Sequence, residues 1–146
     1  MPQLPQPQSV ATSVSKRAME LFLQAYGAVA HRTDRMFMKL IAAEWLAGII
    51  FGLVVSPRVW VGDESFISPH LIAAIVLGAA IAFLPIWMAW KRPGQVATRH
   101  VIAFAQMSFS GLLIHLTGGR IETHFHVFGS LAFLSFYRDP WVLVTA

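Results

Sequence analysis

The sequence predicts an all-α, polytopic membrane helix bundle with four spans and the start of a fifth helix. The chain has 146 residues, 56% hydrophobic and 12% charged, whereas soluble domains carry about a quarter charged residues. Its apolar residues lie in blocks close to the ~20 residues that cross a bilayer as a helix. The blocks are rich in Leu, Ala, Ile and Phe and lack the alternating dyads of an outer-membrane barrel. A mean hydropathy of +0.61 agrees.

Residues 1–14, MPQLPQPQSVATSV, do not have the basic-then-apolar layout of a secretory signal and read as a disordered cytoplasmic tail. Residues 15–35 read as a cytoplasmic helix, amphipathic or a plain lead-in, with Met19, Leu21, Phe22, Leu23 and Tyr26 beside Lys16, Arg17 and Glu20. It closes on His31-Arg32-Thr33-Asp34-Arg35. The first span, 36–55, ends at Ser56-Pro57. The second, 71–90, opens after Ser68-Pro69 and ends at Lys91-Arg92-Pro93-Gly94, the prolines suiting helix boundaries. Pro85 within it predicts loosened backbone bonding and a kink. The third span, 100–116, precedes Thr117-Gly118-Gly119-Arg120, and the fourth, 124–136, precedes Tyr137-Arg138-Asp139-Pro140. The closing WVLVTA reads as the first turns of a fifth helix, so the membrane domain 36–146 is expected to be incomplete at its C-terminal side. Trp45, Trp60, Trp87, Trp90 and Trp141 are expected mostly near span ends as depth anchors.

Lys16, Arg17, Arg32, Arg35 and Lys39 precede or open the first span, and Lys91, Arg92 and Arg99 lie between the second and third. Positive charge concentrates on the cytoplasmic side, so the N-terminus is expected inside. In the intervening connections Arg58 is offset by Asp63 and Glu64, and Arg120 by Glu122. The net charge of +4 thus reads as a topology signal, not a nucleic-acid footprint. With no cysteine, disulfides, thiolate metal sites and thiol redox chemistry are excluded. No P-loop, GxGxxG, GxSxG or HExxH motif is present, and no internal repeat supports an inverted-repeat transporter.

In this topology four of the six histidines fall at the outer face: His70 opens the second span, His115 closes the third, and His124 and His126 open the fourth. Imidazoles from neighbouring helix ends can hold copper, zinc or haem iron, and without cysteine they are the natural ligands. Solvated interfacial imidazoles, or proton-sensing ones, are the alternatives. Positions i and i+2 point to different helix faces, so at most one of His124 and His126 should face His115. Glu44, inside the first span, requires a partner, a proton or water. Gln106 and Ser108 in the third span are candidate partners.

The stretch Ile114 to Asp139, IHLTGGRIETHFHVFGSLAFLSFYRD, resembles the N-terminal membrane sensor region of bacterial signalling proteins. In these a histidine-kinase, chemotaxis or diguanylate-cyclase output module follows. The resemblance takes in His31-Arg32-Thr33-Asp34-Arg35, Glu44-Trp45-Leu46-Ala47-Gly48, Ser56-Pro57-Arg58 and Thr98-Arg99-His100, and its most specific part is E-x-H-F-H. Pro140 after Asp139 departs mildly from it. It implies a multi-pass protein of the bacterial inner membrane that serves as signal input. Its partners would be the lipid bilayer, a cytoplasmic output domain and a possible second copy, with no nucleic acid. The expected receiving site is His70, His115, Glu122, His124 and His126 at the outer face, with Glu44 and Gln106 as intramembrane polar groups. The rivals are a haem-bearing electron carrier, for which the histidines look too interfacial, and a small ion or proton transporter using Glu44. No catalytic domain is encoded in these residues.

Overall fold

The computed structural model describes the backbone of residues 7–55, 58–61 and 64–146 and the side chains of residues 14–54 and 68–146. Among the described residues five helices follow one another: α1 (Pro7–Val55), α2 (Pro69–Lys91), α3 (Val96–Leu116), α4 (Ile121–Leu134) and α5 (Pro140–Thr145). A 3₁₀ turn, Ser135–Tyr137, extends α4. Between α1 and α2 lies an antiparallel hairpin of β1 (Arg58–Val61) and β2 (Glu64–Ile67), with Arg58 opposite Ile67 and Val61 opposite Glu64. The sequence reading missed it, although β-branched and aromatic residues on either side of Gly62-Asp63 are a hairpin signal.

The first correction concerns α1. A tail, a lead-in helix and a span were expected, but residues 7–55 form one continuous helix. Residues 1–6 of the expected tail and the Ser56-Pro57 stop lie outside the described residues. The HRTDR run contains no glycine or proline, so nothing in the backbone interrupts the helix there. Its charges mark a change of surroundings, not a helix end.

Among the described residues two helices are long and apolar enough to cross a membrane: α1, over Val14–Val54, and α2. The expected third and fourth spans are helices too, but neither meets that standard. In α3, Thr98, Arg99, His100, Gln106, Ser108, Ser110 and His115 dilute the apolar residues. At 14 residues, α4 is about 21 Å long against a ~30 Å hydrocarbon core.

Helix α3 lies at the centre, packed by α1, α2, α4 and α5. Its buried side includes Arg99, Ile102, Gln106, Phe109, Ser110 and Leu116. Helix α1 turns a stripe of Phe37, Ile41, Gly48 and Gly52 inward, at the three- and four-residue steps of one helix face. Helix α2 presents Leu71, Ala74, Gly78, Ala82, Pro85 and Ala89, small residues that let backbones approach closely. Pro85 is accommodated within the continuous α2.

A Cβ at Gly78 would stand 2.6 Å from Trp45 Cδ1. Trp45 is therefore wedged in the α1–α2 seam, an exception to the span-end placement expected for most of the tryptophans. Gly78→Ala is expected to force the two helices apart and cost about 1–3 kcal/mol, read as a lower midpoint in denaturant titration of the detergent-solubilised protein. An unchanged midpoint would show that the indole yields freely.

Candidate functional site

Glu44 follows Ile41 by three residues and precedes Gly48 by four, so the helical period that buries those two also turns its carboxylate inward. Gln106 and Ser110, four apart on α3, share a face, as do His126 and Ser130 on α4. The three faces meet in one polar cluster. Gln106 Nε2 donates to Glu44 Oε1 at 2.5 Å and to Ser130 Oγ at 3.1 Å. His126 Nε2 lies 3.2 Å from Glu44 Oε1. His126 Nδ1 lies 2.9 Å from Ser110 Oγ and 3.3 Å from Ser130 Oγ. The Ser110 hydroxyl is also placed to donate to the Gln106 carbonyl at 3.1 Å.

This geometry accommodates two proton arrangements. With neutral His126, Nε2–H donates to Glu44 and Nδ1 accepts from a serine hydroxyl. With a second proton, Nδ1–H donates to Ser110 Oγ, whose own hydrogen turns to the Gln106 carbonyl. Glu44 Oε2 and Gln106 Oε1 are buried and lack hydrogen-bond partners. The cluster therefore holds two open acceptors that an incoming donor would satisfy.

The Glu44–Gln106 pairing matches expectation. Ser108 does not join it: its hydroxyl donates to the Phe104 carbonyl on its own helix. Ser110 and Ser130, which sequence reasoning missed, complete the cluster. Their four-residue spacing from Gln106 and His126 was the available signal.

The expected outer-face histidine set does not converge. His126 turns inward to Glu44. His124, two residues away, points elsewhere, exposed and with Nδ1 3.0 Å from the Arg120 carbonyl, because the helical period separates the two. Glu122 is exposed in the first turn of α4, where a carboxylate complements the helix dipole. The rings of His70 and His115 do meet, 5.4 Å apart and tilted by 47°, and His70 Nδ1 is buried without a partner. Among the described residues no three His, Asp or Glu side chains gather into one metal-binding group. The bend after α3 uses Gly118 and Gly119 at φ 69° and 79°, as the expected turn requires.

A second buried cluster ties the opposite end of the bundle. Asp34 accepts from the Tyr137 hydroxyl at 2.6 Å and from the Gly94 backbone N–H at 2.6 Å. Arg99 donates to Tyr26 Oη at 2.7 Å and to Asp139 Oδ2 at 3.1 Å, while Asp139 Oδ1 caps α5 by accepting from the Trp141 N–H. The sequence reading places these residues by charge, span boundary, amphipathic pattern or resemblance and does not bring them together as a cluster.

Comparison of the chain with protein-family models, with curated proteins and with solved structures finds no match.

Proposed function

We propose that this chain is the membrane-embedded signal-input module of a bacterial sensor, a histidine kinase or related receptor. In this reading it is a multi-pass inner-membrane protein with its N-terminus inside. The observation that carries the reading is the Glu44–Gln106–His126 cluster, a partly buried acid–imidazole contact that Gln106 ties into three helices. Ionisable groups inside membrane bundles are costly and usually functional, and imidazole is the side chain that changes charge near neutral pH. Adding a proton, or a small donor ligand that replaces it, redistributes hydrogen bonds among α1, α3 and α4 and so favours one helix arrangement over another. The polar inward faces of α3 and α4 support the four-span reading, because within a bundle such residues face other helices and not lipid. The output domain would receive the movement on the cytoplasmic side.

The absence of cysteine makes a direct test simple. Spin labels on introduced cysteines at Leu46 and Phe128, both exposed, report the α1–α4 separation in vesicles. Between about pH 5 and 8, where imidazoles change charge, the wild type is expected to shift by roughly 1–2 Å, the scale of helix displacements. Glu44→Gln with His126→Gln should abolish the shift. A separation that ignores pH in the wild type, or that moves equally in the variant, would overturn the reading.

A second reading is favoured by the His70–His115 pair, in which copper or zinc, not a proton, supplies the signal. Two imidazoles bound to one such ion at about 2.0 Å place their rings at roughly the separation seen here, and the unpartnered His70 Nδ1 is a free ligand atom. Metal bound by the purified protein and lost in His115→Ala would support it, and equal metal content in the two would sink it.

A further inference from the structure

Arg32, Arg35 and Lys39 lie at i, i+3 and i+7 on α1, along one face at the edge of the apolar stretch. They are exposed and line an open groove of about 550 Å³ together with Met36 and Leu40. A neighbouring groove of about 540 Å³ shares Arg32 and Met36 and adds Phe136 and Arg138. Four cations thus surround an apolar floor. Among the described residues none of them is paired with a carboxylate. The acids adjacent in sequence are engaged elsewhere, Asp34 withdrawn into the core by Tyr137 and Gly94 and Asp139 paired with Arg99, which leaves the positive charge uncompensated.

Arg138 supplies a separate observation. Its φ of 54° makes it the one non-glycine residue with positive φ among the described residues. L-residues adopt that conformation at a cost and keep it where the surroundings demand it. The turn it makes after the 3₁₀ segment brings the fourth cation beside Arg32 on α1.

We propose that this groove binds the phosphate headgroup of an anionic phospholipid. Its layout repeats that of the lipid. Guanidinium and ammonium donors meet the phosphate, and Met36, Leu40 and Phe136 meet the start of the acyl chains. The long stem of Lys39, one turn into the apolar stretch, carries its charge back to the interface. A free phosphate would use only the cationic half. The site depends on the chain lying in a membrane, not on the signalling role.

The test is native mass spectrometry of the detergent-purified full chain titrated with phosphatidylglycerol, phosphatidylcholine or inorganic phosphate. The wild type should retain phosphatidylglycerol at least about tenfold better than phosphatidylcholine, because clustered Lys and Arg at the interface favour anionic headgroups. Arg32→Gln, Arg35→Gln, Lys39→Gln and Arg138→Gln combined should erase the preference. Lys91→Gln with Arg92→Gln, two exposed cations of the same end outside the groove, should leave it intact. Arg138→Gly alone should weaken retention severalfold, and because glycine relaxes the positive φ it decides the matter even where the fourfold variant fails to fold. Equal loss in the Lys91/Arg92 variant, no headgroup preference, or inorganic phosphate binding as well as the lipid would overturn the proposal.

Discussion

Arg99→Met is expected to destabilise the bundle by about 3–5 kcal/mol, the cost of removing one partner from a buried ion pair. The Arg99 and Asp139 side chains are 5% and 15% exposed. The guanidinium also hydrogen-bonds Tyr26 and lies 5.2 Å from the centre of its ring. Methionine fills the stem but leaves the Asp139 carboxylate with only the Tyr26 hydroxyl and the Trp141 N–H. The measurement is the unfolding midpoint in a denaturing-detergent titration. Adding Asp139→Asn should recover part of the loss, because no unpaired charge then remains. A loss below about 1 kcal/mol in Arg99→Met, the range of a solvated surface pair, would show that water screens the pair.

The second large effect is expected at Phe37→Ala, also about 3–5 kcal/mol, from lost contacts and a residual cavity. Phe37 is fully buried and stacks on Tyr137 with ring centres 5.6 Å apart and planes 7° from parallel. Tyr137 in turn donates to Asp34, so the ring packing holds a hydrogen bond in place. Phe37→Leu should cost clearly less, since it keeps most of the volume. Combining Phe37→Ala with Tyr137→Phe should give less than the sum of the two losses, because each disturbs the same contact. Strict additivity in the same titration would mean that ring and hydroxyl act independently.

Much of the helix layout was legible because apolar blocks and proline boundaries report directly on it. Helix α2 begins at Pro69 and ends at Lys91, within two residues of expectation, and α3 closes at Leu116 before the glycine turn. Less legible was where one environment stops inside a continuous helix, and α1 shows why. Charges at His31 to Arg35 change what surrounds the helix without changing its hydrogen bonding. The Glu44–Gln106 contact could be anticipated because a carboxylate within an apolar stretch needs a donor. Which of His124 and His126 turns into the bundle stays open in the sequence, because their place near a helix start is legible while the helix rotation is not. That rotation is set by α4 packing Ser130 and Leu134, four residues apart and both buried, against the bundle. The Asp34 and Arg99 cluster was hidden for a related reason: at a span edge, a charged residue that snorkels and one that is buried look alike in sequence.

The uninterrupted α1 has a mechanical consequence. Residues 7–25 run N-terminal to Tyr26, whose hydroxyl meets Arg99, for about 28 Å at the usual helical rise. A stiff rod clamped along one part of its length acts as a lever for the rest. A tilt of about 5° at the clamp sweeps the far end by roughly 2–3 Å over that length. Small angular play among Glu44, Gln106 and His126 would emerge at the N-terminal end as a displacement large enough to make or break a side-chain contact.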